Sequence, residues 1–344
     1  VTTSRLEQRA TARLTLRRDR LMRVITGTVL LYPLALLVLS AIHILAPQRE
    51  DALALTQIIA PYLFWPLALL LPLAFRRRTG LLRLLLIACA LVYLARFPIR
   101  LTATPFTPTA GAQQIEVMTW NLYARNTRLD DIVAALRTTE AEIVALQELS
   151  FAQADRIEND PELRRRYPYR LLAPHERMSG VGLLSAYPFA EIQPNAAAAP
   201  RWVRLDLGGE QSLVVFNTHL TRPWFERPTG YKSAWRDEQI AVLRERIAPL
   251  LDRGEHVLLL GDFNLTEREP GYAELTAGLH DAYRLVGVGR GHSWRPRPLN
   301  RWNFALLRID YLLSSPNLKP LRASTDCTPS GSDHCRVQAT FELH

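Results

Sequence analysis

Six times between residues 115 and 336, an apolar run of strand length stops at polar residues capable of chemistry. The runs end in Thr119-Trp120-Asn121, Gln147-Glu148, Asn217-Thr218-His219, Gly261-Asp262-Phe263-Asn264, Arg308-Ile309-Asp310 and Ser332-Asp333-His334. Strand side chains alternate between faces, and strand ends open into loops, where binding and catalytic groups concentrate. A chain that repeats this pattern is constrained to a sheet-based fold whose strand ends gather the polar groups into one cleft.

The periodicity predicts strands over residues 115–122, 143–147, 181–185, 202–207, 212–218, 256–261, 309–314, 324–327 and 336–341. It predicts helices over 128–137 and 236–251, the second with Ile240, Leu243, Ile247 and Leu250 on one side. Gly208-Gly209 marks a hairpin turn, and Ala196–199 reads as a loop. Carboxylates and amides are hard oxygen donors suited to Mg²⁺ or Mn²⁺. Histidines donate to phosphate oxygens, and an aspartate can orient an attacking water. This set suits metal-assisted hydrolysis of a phosphate ester or anhydride.

The ordered motifs resemble those of the endonuclease/exonuclease/phosphatase superfamily over about residues 115–343. The resemblance implies an α/β fold, a four-layer α/β/β/α sandwich, with Mg²⁺ (or Mn²⁺) as cofactor. It implies Glu148 as principal metal ligand, with Asn121 and Asp333 in or beside the metal shell. Asp262 is implied to orient the attacking water and Asn264 to steady the phosphoryl group. His219 and His334 are implied to donate to phosphate oxygens from opposite sides, with Asp310 orienting His334. His175, His280 and His292 lack such context and read as surface or loop residues. Two Arg–Trp loops, with Arg222 and Trp224 in one and Arg301 in the other, are candidates for substrate binding.

Charge narrows the partners. The formal net charge is +9, yet residues 1–112 hold 14 Arg against four acids, whereas residues 113–344 hold 28 basic against 29 acidic residues. The basic footprint of a nucleic-acid binder is therefore missing from the motif-bearing part. Residues 24–46 and 52–75 carry no formal charge and have the length to cross a bilayer as helices. A third run, about 81–99, reaches that length only by including Arg83 and Arg96. The expected organisation is a basic cytoplasmic tail (1–23), three membrane helices (24–99), an extended linker (100–114) and a catalytic domain (115–344). Seven arginines before the first run, and Arg76-Arg77-Arg78 after the second, put the N-terminus and the second loop in the cytoplasm by the positive-inside rule; with three spans the catalytic domain then lies outside, and without a third crossing it lies inside.

Cys327 and Cys335 are read as two reduced, buried cysteines in neighbouring strands. Pairing in an oxidising compartment would brace the loop that carries Asp333 and His334. Together these readings predict a multi-pass, membrane-anchored, Mg²⁺-dependent phosphohydrolase acting on a phosphorylated, lipid-linked or membrane-proximal substrate. An anchored extracellular nuclease acting on nucleic acid, and a non-catalytic receptor on a hydrolase fold, are the alternatives. Nothing in the sequence indicates a protein partner.

Overall fold

The computed structural model describes residues 27, 29–75, 80–103, 106–192, 202–226 and 230–343. The basic tail, the start of the first apolar run and the Ala196–199 loop lie outside the described residues. The chain divides into two compact units: an N-terminal one within residues 1–48 and 53–98, and a C-terminal one comprising 49–52 and 99–344.

The N-terminal unit is helical, with Leu36, Ala60, Phe64, Leu67, Leu82, Leu86 and Cys89 at its core. It departs from the expected three membrane helices. Among the described residues no single helix is long and apolar enough to cross a membrane. The first run gives the shorter helix Val29–Leu45, and the third gives Gly80–Arg96. The second run breaks at its prolines: Pro61, Pro66 and Pro72 each fall in the first turn of a new short helical piece. Proline suits a first helical turn but removes a hydrogen bond from a helix interior. Asp51–Ile58 and Ala60–Ala74 pass the length and polarity criteria together, bent by 82°.

The C-terminal unit is built on two six-stranded mixed sheets. The first contains β1 (Gln114–Asn121), β2 (Ile143–Gln147), β3 (Tyr169–Ala173), β4 (Val181–Ser185), β13 (Leu318–Asp326) and β14 (Arg336–Leu343), in the order β13-β14-β1-β2-β4-β3. The second contains β5 (Phe189–Ile192), β6 (Trp202–Gly208), β7 (Gln211–His219), β10 (Val257–Asp262), β11 (His280–Asp281) and β12 (Asp310–Ser314), in the order β11-β12-β10-β7-β6-β5. A short hairpin of β8 (Trp224–Glu226) and β9 (Gly230–Lys232) stands apart from both. The inner faces share one core, in which Ile115, Val117 and Ala145 of the first sheet join Val215, Leu258, Leu260 and Leu312 of the second.

Each outer face is covered by helices. Helices α1 (Leu129–Thr138), α2 (Phe151–Glu158) and α3 (Pro161–Arg166) bury Ile132, Leu136, Ile157 and Leu163 against the first sheet. Helix α4 (Ala234–Asp252) lays Ile240, Leu243, Ile247 and Leu250 on the second, beside α5 (Pro270–Thr276). Strand β10 is buried on both faces, as its unbroken Val257-Leu258-Leu259-Leu260 run requires. The result is the expected four-layer α/β/β/α sandwich.

Two further features differ from the sequence reading. Cys327 and Cys335 form a disulfide rather than standing reduced. They occupy facing positions one step past Asp326↔Arg336, the last pair of the β13–β14 ladder. Residues 106–113 form no helix and follow the C-terminal unit closely. Both oxygens of the buried Glu342 accept from Thr109, through its backbone N–H and its hydroxyl.

Candidate active site

The ends of five strands and one loop meet at one edge of the sandwich. The register fixes which residues face one another. Asp262 pairs with His219 across the parallel β7–β10 ladder and with Asp310 across the antiparallel β10–β12 ladder. In the other sheet Asn121 pairs with Gln147 across the parallel β1–β2 ladder, and Glu148 follows at once. His334 stands two residues before β14. Gly261 allows this crowding: at φ +141°, a Cβ there would lie 1.8 Å from the Thr218 carbonyl oxygen. Tyr123, Glu148 and Asn264 hold positive φ angles of 61°, 51° and 49°. Such backbone is unfavourable for side chains that carry a Cβ, and it clusters where function fixes geometry.

Asp262 is the centre. It is 1% exposed, and its Oδ2 lies 3.7 Å from the Nε2 atoms of both His219 and His334. Oδ2 also accepts from Asn121 Nδ2 at 2.9 Å, and Oδ1 accepts from the Asn264 backbone N–H at 2.9 Å. Burial pushes its pKa up to about 6. The Asp310 charge adds to that rise, while His334, His219 and the Asn121 bond oppose it.

Behind His334, Nδ1 meets both carboxylate oxygens of Asp310, at 3.0 and 3.2 Å. Burial alone would lower the histidine's pKa, but the charges of Asp310 and then Asp262 outweigh it and lift it to about 10. His334 is therefore an imidazolium whose Nε2 is directed toward Asp262. Ser293, which the sequence reading overlooked, donates to Asp310 Oδ2 at 2.5 Å and accepts from the Asp310 backbone N–H at 3.1 Å. It lies in an aperiodic loop, so pattern alone gave no signal for it. The buried Gln147 and the half-buried Asn217 tie the two sheets together beside the site, Gln147 Nε2 donating to Asn217 Oδ1 at 2.8 Å.

The oxygen donors lie next to this centre. Glu148 accepts from the Ala124 backbone N–H at 3.1 Å and from Asn121 Nδ2 at 3.3 Å. Asn121 Oδ1 accepts from the Tyr123 N–H at 2.9 Å, and its NH₂ donates to Glu148 and Asp262, which places it between the two carboxylates. Burial holds the Asp333 pKa above its ordinary value; the Glu148 charge adds to that and His334 opposes it. A buried carboxylate whose proton affinity is raised further by a neighbouring carboxylate is a donor that a hard divalent cation relieves, so Asp333, with Glu148 beside it, fits such an ion. Asp262, Asp310 and His334 also bring one donor atom each within 4.8 Å of one another.

Of the three expected substrate-binding residues, Arg222 and Arg301 lie in loops and Trp224 opens β8. Arg222 is exposed just beyond β7. Trp224 packs on Trp235 with ring centroids 4.8 Å apart. The Arg301 guanidinium lies 5.1 Å over Trp302, whose ring stacks on Phe304. Arg297, upstream of Arg301 in the same Arg–Trp loop region, donates to Tyr123 Oη at 2.7 Å and lies over that ring. His175 is exposed, His280 sits in β11, and His292, in a loop, is driven down to about 4 by burial; none joins the centre.

Residues 118–334 match the model of the Endonuclease/Exonuclease/phosphatase family. The chain belongs to that family. Its members are hydrolases acting on phosphate esters. Among curated proteins, none matches the sequence. Solved structures similar to this one include truncated Caenorhabditis elegans TDP2, at 18% identity, TM-score 0.53, and 67% and 98% coverage of this and that chain. The 3'-5' exonuclease NExo of Neisseria meningitidis aligns at 21% identity, TM-score 0.52, and 67% and 100% coverage. A Bacteroides vulgatus endonuclease/exonuclease/phosphatase aligns at 16% identity, TM-score 0.53, and 67% and 100% coverage. At these identities the likeness establishes the fold alone.

Proposed function

We propose that this member of the family is a membrane-anchored hydrolase, dependent on Mg²⁺ or Mn²⁺, that cleaves a phosphate ester or anhydride of a lipid-linked or membrane-proximal substrate. The observation that carries the hydrolase part is the buried Asp262 carboxylate held between two imidazoles, one of them backed by Asp310. In this reading Asp262 accepts the proton of the attacking water. His219 and the charged His334 donate to non-bridging phosphoryl oxygens, where negative charge accumulates. Asn264, with one amide N–H spent on the Leu220 carbonyl, offers the other to the same group. A divalent cation held by Glu148 and Asp333 would polarise the phosphoryl group and offset charge on the leaving oxygen.

The membrane part is supported by the surface of the N-terminal unit. Leu31, Leu34, Leu69, Leu84, Leu91, Leu94 and Phe75 are all exposed there, far more apolar surface than a water-facing helical unit normally carries. With a third crossing in the run that contains Gly80–Arg96, the arginine distribution supports an extracytoplasmic catalytic unit. Anchored nuclease activity is the second reading, favoured by the stacked Arg–aromatic groups at Tyr123–Arg297 and Arg301–Trp302.

The test is a substrate panel on full-length protein in detergent with Mg²⁺: a lipid pyrophosphate, an inositol phosphate, a phosphodiester reporter and plasmid DNA. Release of phosphate from the lipid ahead of the other three is the expected result. Plasmid nicking without lipid turnover selects the nuclease, and no turnover of any substrate removes the hydrolase reading.

A further inference from the structure

We propose that the Cys327–Cys335 disulfide and the buried guanidinium of Arg295 act together to position His334, so that full activity requires the bond to be formed. For its activity readout the inference rests on the hydrolase reading; the positioning itself can be measured without it.

The location of the bond decides what it can do. The β13–β14 hairpin is held by eight register pairs, from Leu318↔Leu343 to Asp326↔Arg336, without any help from sulfur. The cysteines face each other one step beyond, with Cα atoms 4.3 Å apart. What the bond adds therefore falls on the segment past the ladder, residues 328–334, which ends in Ser332-Asp333-His334. Cys335 is the residue next to His334, so the covalent tie reaches the imidazole through a single peptide unit.

The same segment is fastened from inside. Ser332 Oγ donates to the Asn121 carbonyl at 2.6 Å and accepts from the His334 N–H at 3.0 Å. Asn126 Nδ2 donates to the Ser330 carbonyl at 3.0 Å, and Cys335 N–H donates to the Ser293 carbonyl at 2.7 Å. Arg295 fills the space behind. It is 1% exposed, and none of its hydrogen-bond partners among the described residues is a carboxylate. Nη1 donates to the carbonyls of Cys327 and Phe304 and to Cys335 Sγ; Nη2 donates to the carbonyls of Asn300 and Ser332, all at 3.2–3.5 Å. A buried cation whose hydrogen-bond partners are neutral carbonyls and a sulfur is costly. What it provides here is a fork that joins the 300–304 loop, the end of β13 and the His334 loop, a reach no apolar side chain could replace.

Reduction breaks the Sγ–Sγ bond with two electrons and two protons from a dithiol, which leaves as its own disulfide. Two thiols then need van der Waals separation where a bond stood. The contact of Cys335 Sγ with Arg295 loosens, and His334 is no longer held against Asp310. Formation is the reverse exchange with a disulfide oxidant of the kind found in extracytoplasmic compartments.

The experiment compares full-length protein in detergent as purified, after dithiothreitol and after reoxidation, with peptide-level hydrogen exchange, alkylation mass spectrometry and initial rates in Mg²⁺. Expected are one alkylatable thiol before reduction, Cys89 after denaturation, and three afterwards. Exchange should rise over 328–335 and 300–304 while β1 and β10 stay protected. Turnover of the phosphodiester reporter should fall by roughly 10–100-fold in kcat with KM little changed, as a small misplacement of a reacting group would produce, and return on reoxidation. Cys327→Ala/Cys335→Ala should reproduce the reduced state and ignore dithiothreitol. Arg295→Lys should give the same exchange signature with the bond intact. Three thiols before reduction, or unchanged protection over 328–335 after it, would overturn the proposal. Should no substrate turn over, the hydrolase reading falls, and the exchange pattern alone still decides the positioning.

Discussion

Replacing Asp310 with asparagine preserves the shape of the group behind His334 and removes its charge. Both oxygens of Asp310 contact Nδ1, and both residues are buried, at 2% and 6% exposure. Against the lowering effect of burial, Asp310 first and Asp262 second raise the histidine from 6.5 to about 10, on the order of 5 kcal/mol of preference for the imidazolium. The folded pKa lies above the unfolded one. The resulting stabilisation is therefore complete below about pH 6.5, declines as the pH climbs and is gone above about 10. In Asp310→Asn the larger carboxylate contribution disappears, burial remains, and the alkaline loss of the imidazolium moves to lower pH. Wild-type kcat should show no alkaline decline from His334 up to about pH 9. The variant should decline within the range 6–9, reaching a deficit of about 10²-fold where only the wild type keeps its charged donor. Initial rates on the phosphodiester reporter across that range, with melting curves at each pH, measure both effects. A constant ratio of the two rates from pH 6 to 9 would refute the charge argument, because a merely misplaced ring loses activity equally at every pH.

Asp262→Ala and His334→Ala should each lower kcat by at least about 10²-fold while the melting transition stays cooperative; a tenth of wild-type activity in both contradicts their roles. Turnover should stop in EDTA and return with Mg²⁺ or Mn²⁺, and Glu148→Gln should raise the metal concentration needed for half activity. Gly261→Ala puts a Cβ 1.8 Å from the Thr218 carbonyl at a φ suited to glycine, so it should cost more than about 2 kcal/mol in denaturant unfolding. Hydrolysis of lipid pyrophosphate in liposomes should depend only weakly on salt, whereas a steep loss of plasmid nicking between low and physiological salt would indicate binding through DNA phosphates.

The six polar islands were legible because each follows an apolar strand, and a strand's end is a fixed place in a sheet. The orientation of a side chain at such a place was not legible. Asn121 could be assigned to the site from its position, but the Tyr123 N–H, which claims its oxygen, sits on backbone at positive φ. Strand β13 begins at Leu318, well before the 324 expected, and contains Pro320. The strand lies at a sheet edge and its register shifts between Pro320 and Arg322, where proline is tolerated. Helix α2 was overlooked although Ser150 and Gln153 form a capping box at its start. In the N-terminal unit the run 52–75, expected to form one helix, is divided at Pro61, Pro66 and Pro72, each of which opens a new short helical piece.

Why these residues meet at all follows from the direction of the strands. The parallel pairs β1–β2 and β7–β10 send four strand ends, and with them Asn121, Glu148, His219 and Asp262, to the same edge. The antiparallel strands β12 and β14 begin where those four finish, which brings Asp310 and the His334 loop to that edge from the other direction. An all-antiparallel arrangement of the same strands would split the set between opposite ends of the sandwich. A one-residue slip of β10 against β7 would turn Asp262 to the other face of its sheet. Asn217 of the second sheet accepts from Gln147 and donates to the Leu146 and Gly182 carbonyls of the first, and sliding the sheets past one another would break all three bonds. The distances around Asp262 are therefore set by sheet register, and the chemistry of the site depends on the same ladders that hold the fold.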